Sequence, residues 1–115
     1  MANSKLERMA QEMRQMLTHT QARWVHRKLS HGLEIVLQRT DDQWRLALAR
    51  RETWPSENEV LTCARAFQVP DPENVDPKPH RKPHQVSRTR AEAWHVLEIY
   101  WTEREPAKEA DGERA

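Results

Sequence analysis

Histidine and cysteine come first as candidates for chemistry, because their side chains bind metals and act as nucleophiles near neutral pH. The chain has six histidines and one cysteine. His80 and His84 have the four-residue spacing of a helical metal pair, but Pro83 lies between them and disfavours a helix. Cys63 has no second cysteine to join it, and zinc needs three or four convergent ligands. We therefore expect no metal site and no cofactor.

Other catalytic arrangements have no better support in the sequence. Asp41 and Asp42 form a carboxylate pair, but their place between two apolar runs is typical of a tight turn. Cys63 is expected on the buried side of a helix, where a thiol is inert. Only two glycines are present, which argues against a phosphate-binding loop or a dinucleotide fingerprint. We expect a non-enzymatic protein and keep a small enzyme of unrecognised type as the less favoured alternative.

A proline-rich basic segment is the strongest candidate for binding chemistry. Five of the seven prolines lie between Pro70 and Pro83, which predicts a linker or loop without regular structure over residues 70–90. Its basic half could follow a phosphate backbone, each contact adding to a salt-sensitive affinity. The candidate nucleic-acid contacts in this basic arm are Lys78, His80, Arg81, Lys82, His84, Arg88 and Arg90.

Residues 24–51 must position any second contact surface, and they form three apolar runs separated by two turn signals. The first turn covers residues 30–32, where Gly32 takes a left-handed conformation without steric cost from a Cβ. The second covers residues 40–43, whose aspartates hydrogen-bond to their own backbone. This pattern predicts a three-stranded antiparallel meander.

The loop lengths also predict the register, and with it two different faces. The first loop places Leu29 opposite Leu33, and the second places Arg39 opposite Trp44. Because side chains alternate along a strand, one face is apolar and must be covered. That face carries Val25, Leu29, Leu33, Ile35, Leu37, Trp44, Leu46 and Leu48. The other face carries Trp24, His26, Lys28, Glu34, Val36, Gln38, Arg45, Ala47 and Ala49.

This second face is predicted to be open, mixed in polarity and partly basic. Small side chains at Ala47 and Ala49 would let a backbone approach it closely. Sheet surfaces of this kind lie in a groove of a nucleic acid or stack bases on aromatic side chains. The candidate contacts on the face are Trp24, His26, Lys28 and Arg45. The partner is expected to be DNA or RNA, and the sequence leaves both open.

Flanking patterns complete an α+β fold in the order α-β-β-β-α-β. An amphipathic helix over residues 5–18 and a second helix from Ser56 to near Gln68 are expected to cover the apolar face. A strand over residues 94–101 joins an edge of the sheet, which makes three to four antiparallel strands. The predicted organisation is a helix, meander and second helix in residues 1–69, the linker 70–90, the C-terminal strand of the same domain in 91–102, and a disordered tail in 103–115.

Protein binding is the alternative function. Apolar side chains of the first helix form a methionine-rich stripe, which either covers the sheet, the favoured interpretation, or docks on a partner or a second copy. Tryptophans outside the core, which are enriched at interaction hot spots, would add to that surface. The candidate interface residues are Met9, Met13 and Met16 on the helix, and Trp54. No run is apolar for long enough to span a membrane, and no signal peptide is recognised, so a cytoplasmic protein is expected.

Overall fold

The computed structural model describes residues 4–80 and 94–102. Its elements are α1 (Ser4–His19), β1 (Trp24–Lys28), β2 (Glu34–Thr40), β3 (Gln43–Arg50), α2 (Glu57–Ala66), β4 (Lys78–His80) and β5 (His95–Thr102). Within these residues the strands form one antiparallel sheet in the order β1-β2-β3-β5-β4. The α+β class and the predicted order of helices and strands are confirmed, with five strands in the sheet instead of three or four.

The first loop of the meander closes as the sequence predicts. The backbone N–H of Leu29 donates to the carbonyl of Leu33 at 2.7 Å, so these two residues face each other. Gly32 has φ +74°, the left-handed conformation expected of it. His31 also lies in the left-handed region at φ 62°, so the three loop residues form a kinked turn.

The second loop fixes the same pair of faces. Arg39 pairs with Trp44, and Asp41 takes a left-handed φ of 54° within the two-residue connection. The resulting pairs include Val25 with Leu37 and Leu37 with Leu46. Both loops therefore place the apolar side chains on one face, and the predicted register is confirmed.

The segment after Pro70 differs from the expected loop without regular structure. Pro72–Asn74 forms a 3-10 turn, and Lys78–His80 pairs with β5 as an edge strand. Three residues with a central proline are too few to show the alternating pattern from which a strand is predicted. A central strand pairs on both sides, and the N–H that proline lacks would leave a hydrogen bond unmade there. An edge strand pairs on one side only and therefore tolerates Pro79.

The core lies between the two helices and the face that we call the first face of the sheet. Buried side chains from α1, α2 and β2, β3 and β5 form one cluster there, which includes Met13, Ile35, Leu46, Ala64 and Ile99. The methionine-rich stripe thus covers the sheet, as the favoured interpretation predicted. Burial of a large apolar side chain contributes roughly 1.5–3 kcal/mol.

A capping box fixes the start of α2. The Oγ atom of Ser56 accepts from the backbone N–H of Glu59 at 3.1 Å, and the Glu59 carboxylate accepts from the Ser56 N–H at 2.9 Å.

In the part of the chain that is described, neither helix has the length and hydrophobicity required to cross a bilayer.

Candidate nucleic-acid interface

The second face of the sheet, which points away from the helices, is built from rows of side chains that cross the strands. The row that we call the Trp24–Tyr100 row contains Trp24 on β1, Gln38 on β2, Arg45 on β3 and Tyr100 on β5. The next row contains His26, Val36, Ala47, Glu98 and Lys78. The candidate contacts on β1 and β3 therefore share one face, as the alternation predicted, and Lys78 of β4, which was expected in a loop, lies on the same face.

The middle of this face is not open, which corrects the expectation from the sequence. Val36, Ala47, Ala49 and Val96 are fully buried and form a second, smaller apolar cluster with Trp94. Ala47 and Ala49, which the sequence predicts to leave room for an approaching backbone, are therefore covered. Among the described residues, the exposed side chains of this face lie at its two edges, in the Trp24–Tyr100 row and in the adjoining row of Thr40, Gln43 and Thr102.

Arg45 is also buried, so its predicted contact with a phosphate needs correction. Its Nε and Nη2 atoms both lie 2.7 Å from Oε2 of Glu98, and its Nη1 donates to Oε1 of Gln38 at 2.9 Å. The guanidinium is neutralised by the carboxylate and held under the surface of the sheet. Arg45 therefore forms the floor of the face and does not offer a free positive charge.

Tyr100 is a surface residue that the sequence reasoning did not select. It is 50% exposed, and its hydroxyl donates to Oε1 of Glu98 at 3.0 Å. Burial of the hydroxyl, together with the adjacent Glu98 carboxylate, raises the pKa of Tyr100 above its usual value. The phenol stays uncharged at neutral pH, and its hydroxyl is held in place by the hydrogen bond to Glu98. The alternation of β5 carried the signal, because Tyr100 lies out of phase with the core residues Ile99 and Trp101.

Trp24 provides the other exposed ring of the row. It is 45% exposed on β1, at the edge of the sheet. Three strand spacings separate β1 from β5, so the two residues lie about 14 Å apart across the sheet. Trp24 and Tyr100 thus flank the hydrogen-bonded floor formed by Gln38 and Arg45.

Basic residues of the face lie at both edges of the sheet. On β1, Lys28 is exposed, and Nε2 of the partly buried His26 donates to Oε1 of Glu34 at 2.7 Å. On β4, the Lys78 ammonium is exposed and lies 3.4 Å from the Asp76 carboxylate. Lys28 and Lys78 thus place exposed cations at the two edges of this face.

The remaining arm residues can be placed only in part. His80 pairs with Val96 at the end of β4. The other predicted contacts, Arg81, Lys82, His84, Arg88 and Arg90, lie outside the described residues.

The predicted protein-interface residues are dispersed rather than grouped. Met13 is fully buried and Met9 packs partly buried against the core, so neither presents a docking surface, which corrects that prediction. Met16 remains 38% exposed at the other end of α1. Trp54 is 47% exposed and packs edge-on against the ring of His95, with ring centres 4.9 Å apart.

Cys63 has the environment expected of a structural thiol. It is 2% exposed within the core, and burial raises its pKa to about 12. Among residues 4–80 and 94–102, no three or more histidine, cysteine or acidic side chains converge as metal ligands would.

No protein-family model matches the chain, and neither the curated proteins nor the solved structures include a significant match.

Proposed function

We propose that this protein binds single-stranded nucleic acid along the Trp24–Tyr100 row, with basic residues at the sheet edges contacting phosphates. The observation that supports the proposal is the pair of half-exposed rings, Trp24 and Tyr100, on the same face and at the same level of the sheet. Stacking of bases on such rings is tolerant of sequence and contributes about 1–3 kcal/mol per base.

The floor between the rings suits this role. The guanidinium of Arg45 is paired with Glu98, so the centre of the row carries hydrogen-bonding groups without a net charge. A separation of about 14 Å lets two non-adjacent bases of an extended strand stack at the same time. Lys28 and Lys78 lie on the two outer strands, both on the same side of the Trp24–Tyr100 row, where they could contact the backbone of a strand stacked along that row.

The stacking part is tested with ring deletions. We expect Trp24→Ala and Tyr100→Ala each to weaken binding about 5- to 150-fold, which is 1–3 kcal/mol. The measurement is fluorescence anisotropy of labelled oligothymidine and oligouridine of about 12 nucleotides. Trp54→Ala is the matched control, because Trp54 is equally exposed but lies beside His95, away from the row. Equal losses in all three variants, or no binding by the parent protein at low salt, would reject the proposal.

The electrostatic part is tested separately with salt. Between about 50 and 200 mM salt, log K should fall linearly with log salt concentration. Lys28→Ala and Lys78→Ala should each reduce that slope by about 0.7, the value for one phosphate contact on a single strand. The ring variants should weaken binding without changing the slope. Tighter binding to a duplex than to a single strand would contradict stacking as the mode of recognition.

Self-association is the second candidate function, and the exposure of Met16 is the observation that favours it. Light scattering would then show a dimer that Met16→Glu converts to a monomer with an unchanged circular dichroism spectrum. Met13 is not suitable for this test, because a charge at a fully buried position would unfold the protein. A monomer in the parent protein would exclude the homodimer.

A further inference from the structure

A cleft of about 480 Å³ opens on the helix-covered side of the sheet, between α2 and the segment that leads into β4. Val60 and Leu61 of α2, Val75 before β4 and Leu97 of β5 provide its aliphatic surface. Its volume lies in the range of about 300–1,000 Å³ that is typical of binding clefts. The cleft lies on the opposite side of the sheet from the Trp24–Tyr100 row.

The wall that faces α2 is held in place by its own chain. Pro72 and Pro77 line it, and proline has a fixed φ. Asp71 takes a left-handed φ of 55°, and its two carboxylate oxygens each accept from Nδ2 of Asn74 at 3.0 Å. The cleft is therefore largely formed before any ligand arrives, which lowers the entropic cost of binding.

The charged side chains that line the cleft, among the described residues, are all acidic. Glu57 comes from α2, while Glu73 and Asp76 come from the opposite wall. Glu73 pairs with Arg65 at 2.6 Å and Asp76 with Lys78 at 3.4 Å, but all four of these side chains are more than half exposed. Exposed ion pairs contribute only about 0–1 kcal/mol, so a cationic side chain of a ligand could replace Arg65 or Lys78 as the partner of these acids.

We propose that this cleft binds an extended basic segment of a partner protein, with an aliphatic side chain placed between the walls and lysine or arginine side chains on the acidic rim. An aliphatic surface with acids on both sides fits a chain in which apolar and cationic residues alternate. A nucleic acid would be repelled by the same rim. The protein would thus present two separate sites, one for each class of partner.

The proposal is tested with a fluorescent peptide of about ten residues that alternates lysine and leucine, against a glutamate–leucine peptide of equal length. We expect only the basic peptide to bind. Glu57→Gln combined with Asp76→Asn should weaken that binding about fivefold, because two rim charges are removed. Glu12→Gln combined with Asp42→Asn is the matched control, since it removes the same charge at exposed positions outside the cleft.

Mapping of amide chemical shifts decides where the peptide sits. Shifts concentrated at Leu61, Val75 and Leu97 on addition of the basic peptide would support the proposal. Shifts concentrated elsewhere, equal weakening in the control variant, or equal binding of the acidic peptide would overturn it. A dimer that dissociates in the Glu57/Asp76 variant would identify a second copy as the occupant and would also overturn it. Binding of oligonucleotides is measured separately, so failure of this proposal leaves the proposed function to its own test.

Discussion

β3 carries two arginines whose side chains point to opposite faces of the sheet, and each is paired with a glutamate from a different element. On the second face, Arg45 pairs with Glu98 of β5, and the two side chains are 9% and 6% exposed. On the first face, Arg50 pairs with Glu59 of α2, and the corresponding values are 15% and 30%. The same chemical pair thus occurs in a nearly dry setting and in a partly hydrated one.

The difference shows what burial does to an ion pair. The hydrogen bond from Arg50 lowers the pKa of the Glu59 carboxyl, and burial only partly opposes this. That pair links α2 to β3 at the surface, where solvent weakens it. Glu98 and Arg45 are removed from water, so each depends on the other for compensation of its charge. The second face therefore obtains its rigid floor from a pair that is costly to break.

The largest loss of stability is expected when the buried pair is broken. Glu98→Ala should lower the free energy of unfolding by about 3–5 kcal/mol, because it leaves the Arg45 guanidinium buried without a counter-charge. The measurement is urea unfolding followed by circular dichroism. A double variant, Arg45→Met with Glu98→Leu, should recover most of the loss, since two apolar groups need no compensation. If the double variant is as unstable as the single one, the pair is not the reason for the loss.

Two neighbouring residues on β2 allow the apolar packing of the two faces to be compared. Ile35 lies in the main core and Val36 in the smaller cluster, and both are fully buried. Ile35→Ala should cost about 2–5 kcal/mol, because it leaves a cavity in the main core. Val36→Ala should cost about 1.6 kcal/mol, which corresponds to two buried methyl groups. Equal losses in urea unfolding would mean that the two faces are packed alike.

The capping box supports the first-face pair and has a smaller expected effect. Ser56→Ala removes the acceptor for the Glu59 N–H and should lower stability by about 1 kcal/mol. Ser56→Asp should retain the cap and most of the stability. Thermal unfolding of the two variants provides the comparison, and identical transition temperatures would show that the cap contributes nothing here.

The smallest effect concerns pH. Because the folded-state pKa of Glu59 is lowered, its contribution to stability is present above the unfolded pKa of about 4.3 and is lost as pH falls through the folded value. Glu59→Gln should therefore lose less stability than the parent protein when urea unfolding is compared at about pH 5 and pH 3. Glu52→Gln, at an exposed position, is the control. Parallel pH profiles for Glu59→Gln and the parent would contradict the assigned coupling.

Local signals predicted much of the fold. The turns at Gly32 and Asp41, with the alternation between them, gave the register of β1, β2 and β3 and the identity of the first face. The Ser56 signal predicted the capping box of α2. The spacing of apolar residues likewise predicted that α1 covers the sheet. Each of these features depends on residues close together in the chain.

The candidate site was predicted less well. Alternation along β3 predicts that Arg45 shares the second face with His26 and Lys28, where it could meet a phosphate. Its partner Glu98 is 53 residues away and arrives only when β5 pairs with β3. That pairing also places Tyr100 level with Trp24. The three residues of β4 were missed because so short a strand has no periodic pattern.

The amino-acid sequence by itself determined which side chains of the meander share a face, since alternation and tight turns are properties of neighbouring residues. Only the tertiary structure decided which parts of the second face are buried and which are accessible. Burial depends on strands and side chains brought together from distant positions, and a buried charge is neutralised by whichever partner the sheet places beside it.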